Sequence, residues 1–402
     1  MLNPLAESYP FLRNILRFPA EKVLLKFLKY NSKEKRESAQ KILSTVCILG
    51  KGNCLGKIKN ILLSGYFGFG NFGDEAIFAV MKRRFEKLGL NVFSLVKNPV
   101  GCHEFSRSRF KDVVRAIWNS DIVLNGGGGL LQDKTSMKSI VYYLSILFLS
   151  EKFHKKSACF AQGIGPINKS LSKLLLRYVL NNADFITVRD KYSENVLRES
   201  GVTNKNLFVT ADVAFLFDDE EEIALPFENF ILYSPGMAIR MPKKETLISV
   251  GRSIQKETGR PVIVVPFYPA RDGALAKEVA DELKAYFVIP EKIAQYPYIV
   301  KKSSFVVGMR YHSVLFSILK HRAFIGMPYD PKVKALTDEA GIKSIDSYEN
   351  LNLHDFMEVF RYNFSHRDEI EEHLRSETTV FKKKAEENFE LFKKKFLDRR
   401  DS

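Results

Sequence analysis

Two short strings late in the chain carry the residue types that anion and proton chemistry needs. Residues 306–313 (VVGMRYHS) follow a short apolar run and precede a helical pattern. Arg310 in this string can grip a carboxylate or a phosphate through two parallel hydrogen bonds. His312, two residues on, is the one His of seven placed at such a strand–helix junction. Its imidazole can both give and take a proton near neutral pH. Residues 327–333 (MPYDPKV) then put Lys332 in a turn stiffened by Pro328 and Pro331. A single His is usually a core residue. Arg, His and Lys at two neighbouring strand ends instead predict an anion site with an acid–base group.

Glycine-rich turns supply a second set. Residues 65–75 (GYFGFGNFGDE) contain Gly68, Gly70 and Gly73 in the spacing of a dinucleotide fingerprint, between a strand and a helix. That fingerprint also needs an acid about 20 residues on to hold a ribose. Residues 88–97 contain neither Asp nor Glu, so nicotinamide-type binding is disfavoured. Gly70 and Asn71 remain candidates for backbone approach to a substrate. Asp74 is either a helix cap or a carboxylate holding a sugar hydroxyl. Residues 125–133 (NGGGGLLQD) place four glycines directly after a strand, an entropic cost that a mere turn does not require. Gly127 and Gly128 are therefore read as substrate-facing backbone, with Gln162 and Gly163 of the string QGIGP. Arg189 and Asp190 follow the next strand; an ordinary surface ion pair is the bland alternative.

These loops need a scaffold of alternating strands and helices. Apolar strand runs are expected at 60–65, 91–96, 121–124, 158–162 and 185–188, with helical stretches between, one of them at 74–88 closed by Gly89. A second series begins at 230–233 and continues at 262–266, 287–289, 305–307 and 323–325. Such alternation predicts an α/β fold of parallel sheets with ligands at the carboxyl ends of the strands. The expected organisation is a basic helical extension (1–58), one Rossmann-like domain (59–217), a second (227–350) and a charged helical tail (351–402). The acidic run 218–222 (DDEEE) reads as the linker between them.

Composition narrows the class. The chain has 402 residues, 45% of them apolar and 12% aromatic, enough for two cores. The formal charge is +15, and residues 1–60 hold twelve Lys and Arg against four Glu. With Leu12, Ile15, Leu16, Val23, Leu24, Phe27 and Leu28 near helical spacing, that segment suits either a packed helix or an anionic membrane surface. No nucleic-acid motif is visible, and Cys47, Cys54, Cys102 and Cys159 lack zinc spacing. No metal site or cofactor is expected. The run 140–149 is half a membrane span, so it reads as a buried helix. With no signal peptide visible, a cytoplasmic protein is expected.

Taken together, the strings GYFGFGNFGDE, GGGGLLQD, QGIGP, Arg189-Asp190, TAD (210–212), MRYH (309–312) and YDPKV (329–333) resemble the polysaccharide pyruvyl transferases, and most of all their CsaB-type members. They occur in that family's order over about residues 60–345. The resemblance implies a fold similar to GT-B glycosyltransferases, two Rossmann-like domains facing across a cleft. It implies transfer of the pyruvyl group of phosphoenolpyruvate to a sugar as a ketal, with release of phosphate. It further implies an N-acetylmannosamine acceptor on a lipid-linked cell-wall polymer precursor, and S-layer anchoring as the purpose. Arg310, His312 and Lys332 match the family's donor and catalytic positions. A further Arg is expected in the first half, Arg189 or, behind it, Arg177. Where the family shows an Arg after the first strand of the second domain, this chain offers only Arg240 as a substitute. A sugar-nucleotide glycosyltransferase on the same fold and a membrane-docked scaffold are the rival readings.

Overall fold

The structure, a computed structural model, describes residues 58–134, 137–237, 244–327, 330–346 and 351–398. The expected N-terminal extension up to residue 57, Arg240, and Pro328 and Tyr329 of the lysine turn lie outside these residues. The chain divides into two compact units. Of the described residues the first holds 58–68, 81–212 and 388–398, and the second holds 69–80 and 213–387. This division differs from sequence-drawn boundaries in giving 69–80 and 213–217 to the second unit and in sharing out the tail.

The first unit is built on a seven-stranded sheet in the order β3-β2-β1-β4-β5-β6-β7, parallel throughout. Its strands are β1 (Asn60–Phe67), β2 (Asn91–Val96), β3 (Glu104–Ser106), β4 (Ile122–Gly126), β5 (Lys156–Gln162), β6 (Phe185–Val188) and β7 (Leu207–Val209). Their near-continuous burial is what a parallel sheet covered on both faces demands. Between them run α1 (Phe72–Lys87), α2 (Phe110–Trp118), α3 (Met137–Lys152), α4 (Ser170–Leu180) and α5 (Lys191–Glu199). The apolar run 140–149 lies in α3, where nine of its ten residues are buried, all but Tyr142. The strand order reverses between β1 and β4, the place where open α/β sheets bind ligands.

The second unit carries a five-stranded parallel sheet, β10-β9-β8-β11-β12. Its strands are β8 (Ile231–Ser234), β9 (Val262–Val264), β10 (Tyr286–Phe287), β11 (Phe305–Gly308) and β12 (Phe324–Gly326). Its helices are α6 (Lys244–Thr258), α7 (Pro269–Leu283), α8 (Gln295–Lys302), α9 (Tyr311–Leu319), α10 (Pro331–Glu339) and α11 (Leu353–Ser365), followed by α12 (Arg367–Phe396). Phe356 and Phe360 of α11 belong to this unit's core. The acidic run expected as the linker lies outside helices and strands, with Asp218, Asp219, Glu220 and Glu222 exposed. Glu220 pairs with Lys301 and Lys320, and Glu221 with Lys292. Among the described residues no helix is long and apolar enough to cross a membrane.

Candidate functional site

In the second unit the loops after β8, β9, β11 and β12 bring together residues far apart in sequence. Arg310 is the cap residue of α9, one residue past the Gly308-Met309 turn. Its Nε donates to Asp272 Oδ2 at 2.9 Å, and its Nη2 donates to Asp272 Oδ1 and, at 2.9 Å, to the Met237 carbonyl. Asp272 sits in the first turn of α7, is fully buried, and accepts a further bond from Met237 N at 3.0 Å. A Cβ at Gly236 would stand 2.9 Å from Arg310 Nε, so glycine is needed for the guanidinium to lie where it does. Asp272 carried no signal in the sequence: an acid in a helix's first turn is ordinary capping chemistry.

His312 lies in the first turn of α9, 8% exposed. Its ring lies parallel to Phe267, interplanar angle 9° and centroids 6.2 Å apart, and meets Tyr311 edge-on at 5.1 Å. A Cβ at Gly73 would fall 2.1 Å from His312 Nδ1. The third glycine of the fingerprint-like loop thus makes room for an imidazole. Asp74, the next residue, is buried in the first turn of α1. Lys332 opens α10, with Nζ 3.8 Å from Asp330 Oδ2, while Asp330 caps that helix.

The loop before α1 does not offer its amides to a phosphate. Glu75 Oε1 accepts from Phe69 N and Gly70 N, both at 3.1 Å, filling the concavity that an anion would use. Asn71 caps the helix instead of Asp74, its Oδ1 accepting from Gly73 N at 3.2 Å. The helix accordingly starts at Phe72, two residues before the expected start.

The first unit gathers the other candidates. The β5–β6 register shifts between Cys159 and Gln162, with Ala161 in the left-handed region at φ 49°. Past this irregularity, Gln162 Nε2 donates to the Gly128 carbonyl at 2.6 Å and lies 3.3 Å from those of Gly127 and Gly163. Gly127 and Gly128 both have positive φ, 63° and 68°. The two glycine loops are therefore interlocked by one amide side chain. Gln162 Oε1 is buried with no hydrogen-bond partner among the described residues.

Arg189 departs from the expectation of an open donor-binding cation. Its side chain is 1% exposed and pairs with Asp212 at 2.9 Å and Asp190 at 3.3 Å. An anionic substrate would have to displace a buried carboxylate, at a cost of several kcal/mol, roughly 3–5. Gly163 gives this guanidinium its space, since a Cβ there would lie 2.6 Å from it. Arg177 is also misplaced for the site. It is exposed in the last turn of α4, beside Gly201, which follows the last turn of α5. Helices linking parallel strands run back to the amino-terminal edge of the sheet, so Arg177 is at the far edge from the loops.

Two units, each an α/β layer on a parallel sheet, make a GT-B-like fold, and similar solved structures agree. MnaA with UDP from S. aureus matches with TM-score 0.60 and 13% identity, over 86% of this chain and 99% of that one. A Listeria monocytogenes protein described as a UDP-N-acetylglucosamine 2-epimerase matches with TM-score 0.59 and 12% identity, over 86% and 98%. A glycosyltransferase from Rickettsia africae matches with 0.56 and 12%, over 85% and 100%. At these identities the likeness is one of fold. No curated protein matches the sequence. The model of the polysaccharide pyruvyl transferases matches residues 71–331, and the chain belongs to that family.

Proposed function

We propose that this transferase moves the pyruvyl group of phosphoenolpyruvate onto two hydroxyls of a sugar, as a ketal, with release of phosphate. The observation that carries this is the second unit's grouping of a fixed guanidinium (Arg310), a buried imidazole (His312) and a helix-opening ammonium (Lys332) at neighbouring strand ends. Phosphoenolpyruvate presents a carboxylate and a phosphate, which Arg310 and Lys332 suit, together with the amino ends of α9 and α10. His312 supplies the proton movement. The imidazolium form of His312 gives its proton to the methylene carbon, which makes C2 electrophilic, and one sugar oxygen bonds there as its own proton passes to the imidazole so freed. The second sugar oxygen then bonds to C2 while the bond to phosphate breaks, and its proton goes to the phosphate or to water. The carboxylate of the pyruvyl group is unchanged. In this scheme Asp74, in the first turn of α1, is the carboxylate that holds an acceptor hydroxyl.

The acceptor favoured by the CsaB-type resemblance is an N-acetylmannosamine unit on a lipid-linked cell-wall precursor, which places the reaction in the cytoplasm at the membrane's inner face and S-layer anchoring downstream. No resident cofactor is needed by this scheme. The test is phosphate release from phosphoenolpyruvate with and without that acceptor, followed by product mass. Acceptor-dependent release with a pyruvyl mass gain supports the reading. Consumption of a sugar nucleotide, with phosphoenolpyruvate untouched, replaces it by the glycosyltransferase alternative.

A further inference from the structure

Among the described residues, Asp272 reaches the candidate site through Arg310 and Met237, and neither motif nor composition singles it out. Its carboxylate is fully buried, and it takes three bonds: Arg310 Nε, Arg310 Nη2 and Met237 N. Together with the Met237 carbonyl, these contacts hold Nε and Nη2 and fix the plane of the guanidinium. Gly236 and Met309 complete the seat. Gly236 N donates to Met309 Sδ at 3.3 Å, which brings the β8 loop against the residue preceding Arg310.

A buried carboxylate is costly unless it is matched, and here the match is geometric, a bidentate pair with a side chain only 12% exposed. An arginine side chain carries much rotamer entropy, which a ligand would otherwise have to remove on binding. Held in advance, it loses little. The same pairing partly offsets Arg310's charge, so what Asp272 contributes is orientation rather than attraction.

We infer that Asp272 is a positioning residue for the donor: it holds Arg310 in the orientation that meets the anionic groups of phosphoenolpyruvate. This rests on the reading of Arg310 as a donor-binding residue. The experiment measures phosphoenolpyruvate binding by titration calorimetry on the full chain, with the thermal midpoint of each free protein alongside. The variants are Asp272→Asn, Asp272→Glu, Arg310→Gln and the double variant Asp272→Asn/Arg310→Gln. Expected is a roughly ten-fold or greater weakening in Asp272→Asn, a similar or larger one in Arg310→Gln, and no further loss in the double variant. A merely structural role would lower the midpoint and the folded fraction without moving the dissociation constant of the folded molecules. Unchanged affinity in Asp272→Asn, with Arg310→Gln weakened, overturns the proposal and leaves the donor reading standing. Unchanged affinity in Arg310→Gln overturns both. If Asp272→Asn does not fold, Asp272→Glu, which keeps the charge but shifts the oxygens, decides by the same criterion.

Discussion

An added methyl at Gly73 would occupy the place of the His312 ring, whereas one at Gly70 would meet nothing within 4 Å. Gly73→Ala should therefore displace the imidazole, and phosphate release should fall about 100-fold or more, approaching His312→Ala. The helix itself gains from the alanine, so the loss of stability should stay within about 1–3 kcal/mol. Gly70→Ala pays instead for its left-handed backbone, φ 75°, at roughly 1–2 kcal/mol, with activity per folded molecule retained. Activity assays paired with thermal melts separate the two. The strings MRYH and YDPKV marked Arg310, His312 and Lys332 from residue type and position alone. Asp272 was not legible, because a partner 38 residues upstream is found only when α7 and α9 are folded beside each other. Arg189 shows the reverse case: its cation and Asp212 were both visible, but the pairing that neutralises them was not.

Strands buried on both faces announce themselves as apolar runs, and β2 and β6 begin and end where the sequence put them. The three-residue edge strands β3 and β7 did not, since half-exposed triplets carry no periodicity to detect. The charge of the acidic run 218–222 suits a linker, and charge alone does not show that Lys301 of α8 and Lys320 at the α9 terminus pair with Glu220. Burial works to raise the Glu220 carboxyl, but hydrogen bonds from Lys301 and Lys320 outweigh it and hold the group below its ordinary value of 4.5. A carboxyl depressed on folding stabilises above its unfolded value, and that stabilisation is lost as pH falls through the folded one. Wild type should thus melt above Glu220→Gln at pH 7, with the gap closing as pH drops below about 4.5. A gap that does not narrow at all as pH falls below 4.5 would mean that the ion pairs are not its source.

At the scale of the whole molecule, the charged tail expected to be helical forms α11 and α12, and α12 also presents Phe389, Phe392 and Phe396 on one side. Phe389 and Phe392 meet Phe85 at 5.3 and 4.9 Å, and Phe389 meets Phe160 at 5.0 Å; Phe396 meets Phe185 at 5.9 Å. These residues are part of the first unit. Asn388 adds a polar anchor: its Oδ1 accepts from Thr210 Oγ1 at 2.8 Å and its Nδ2 donates to the Ala211 carbonyl at 3.0 Å. The segment so held leads directly into Asp212, the carboxylate on Arg189, and through Arg189 to Gly163 in the β5 loop. Asn388→Ala should cost about 1–3 kcal/mol, chiefly from the Ala211 carbonyl losing the Asn388 donor, since the Thr210 hydroxyl keeps the Val188 carbonyl at 3.2 Å. Phe389→Ala should cost more, about 3–5 kcal/mol, because an aromatic group loses its centre. Ending the chain after Glu387 removes all four side chains at once and bares Phe85, Phe160 and Phe185, a loss comparable to the 5–15 kcal/mol that holds ordinary domains together. Calorimetry of the truncated chain should then show the first unit's transition abolished or brought near ambient temperature. A truncated chain melting like the full one would show that the aromatic contacts of α12 contribute little, and that the sheet is held by its other helices.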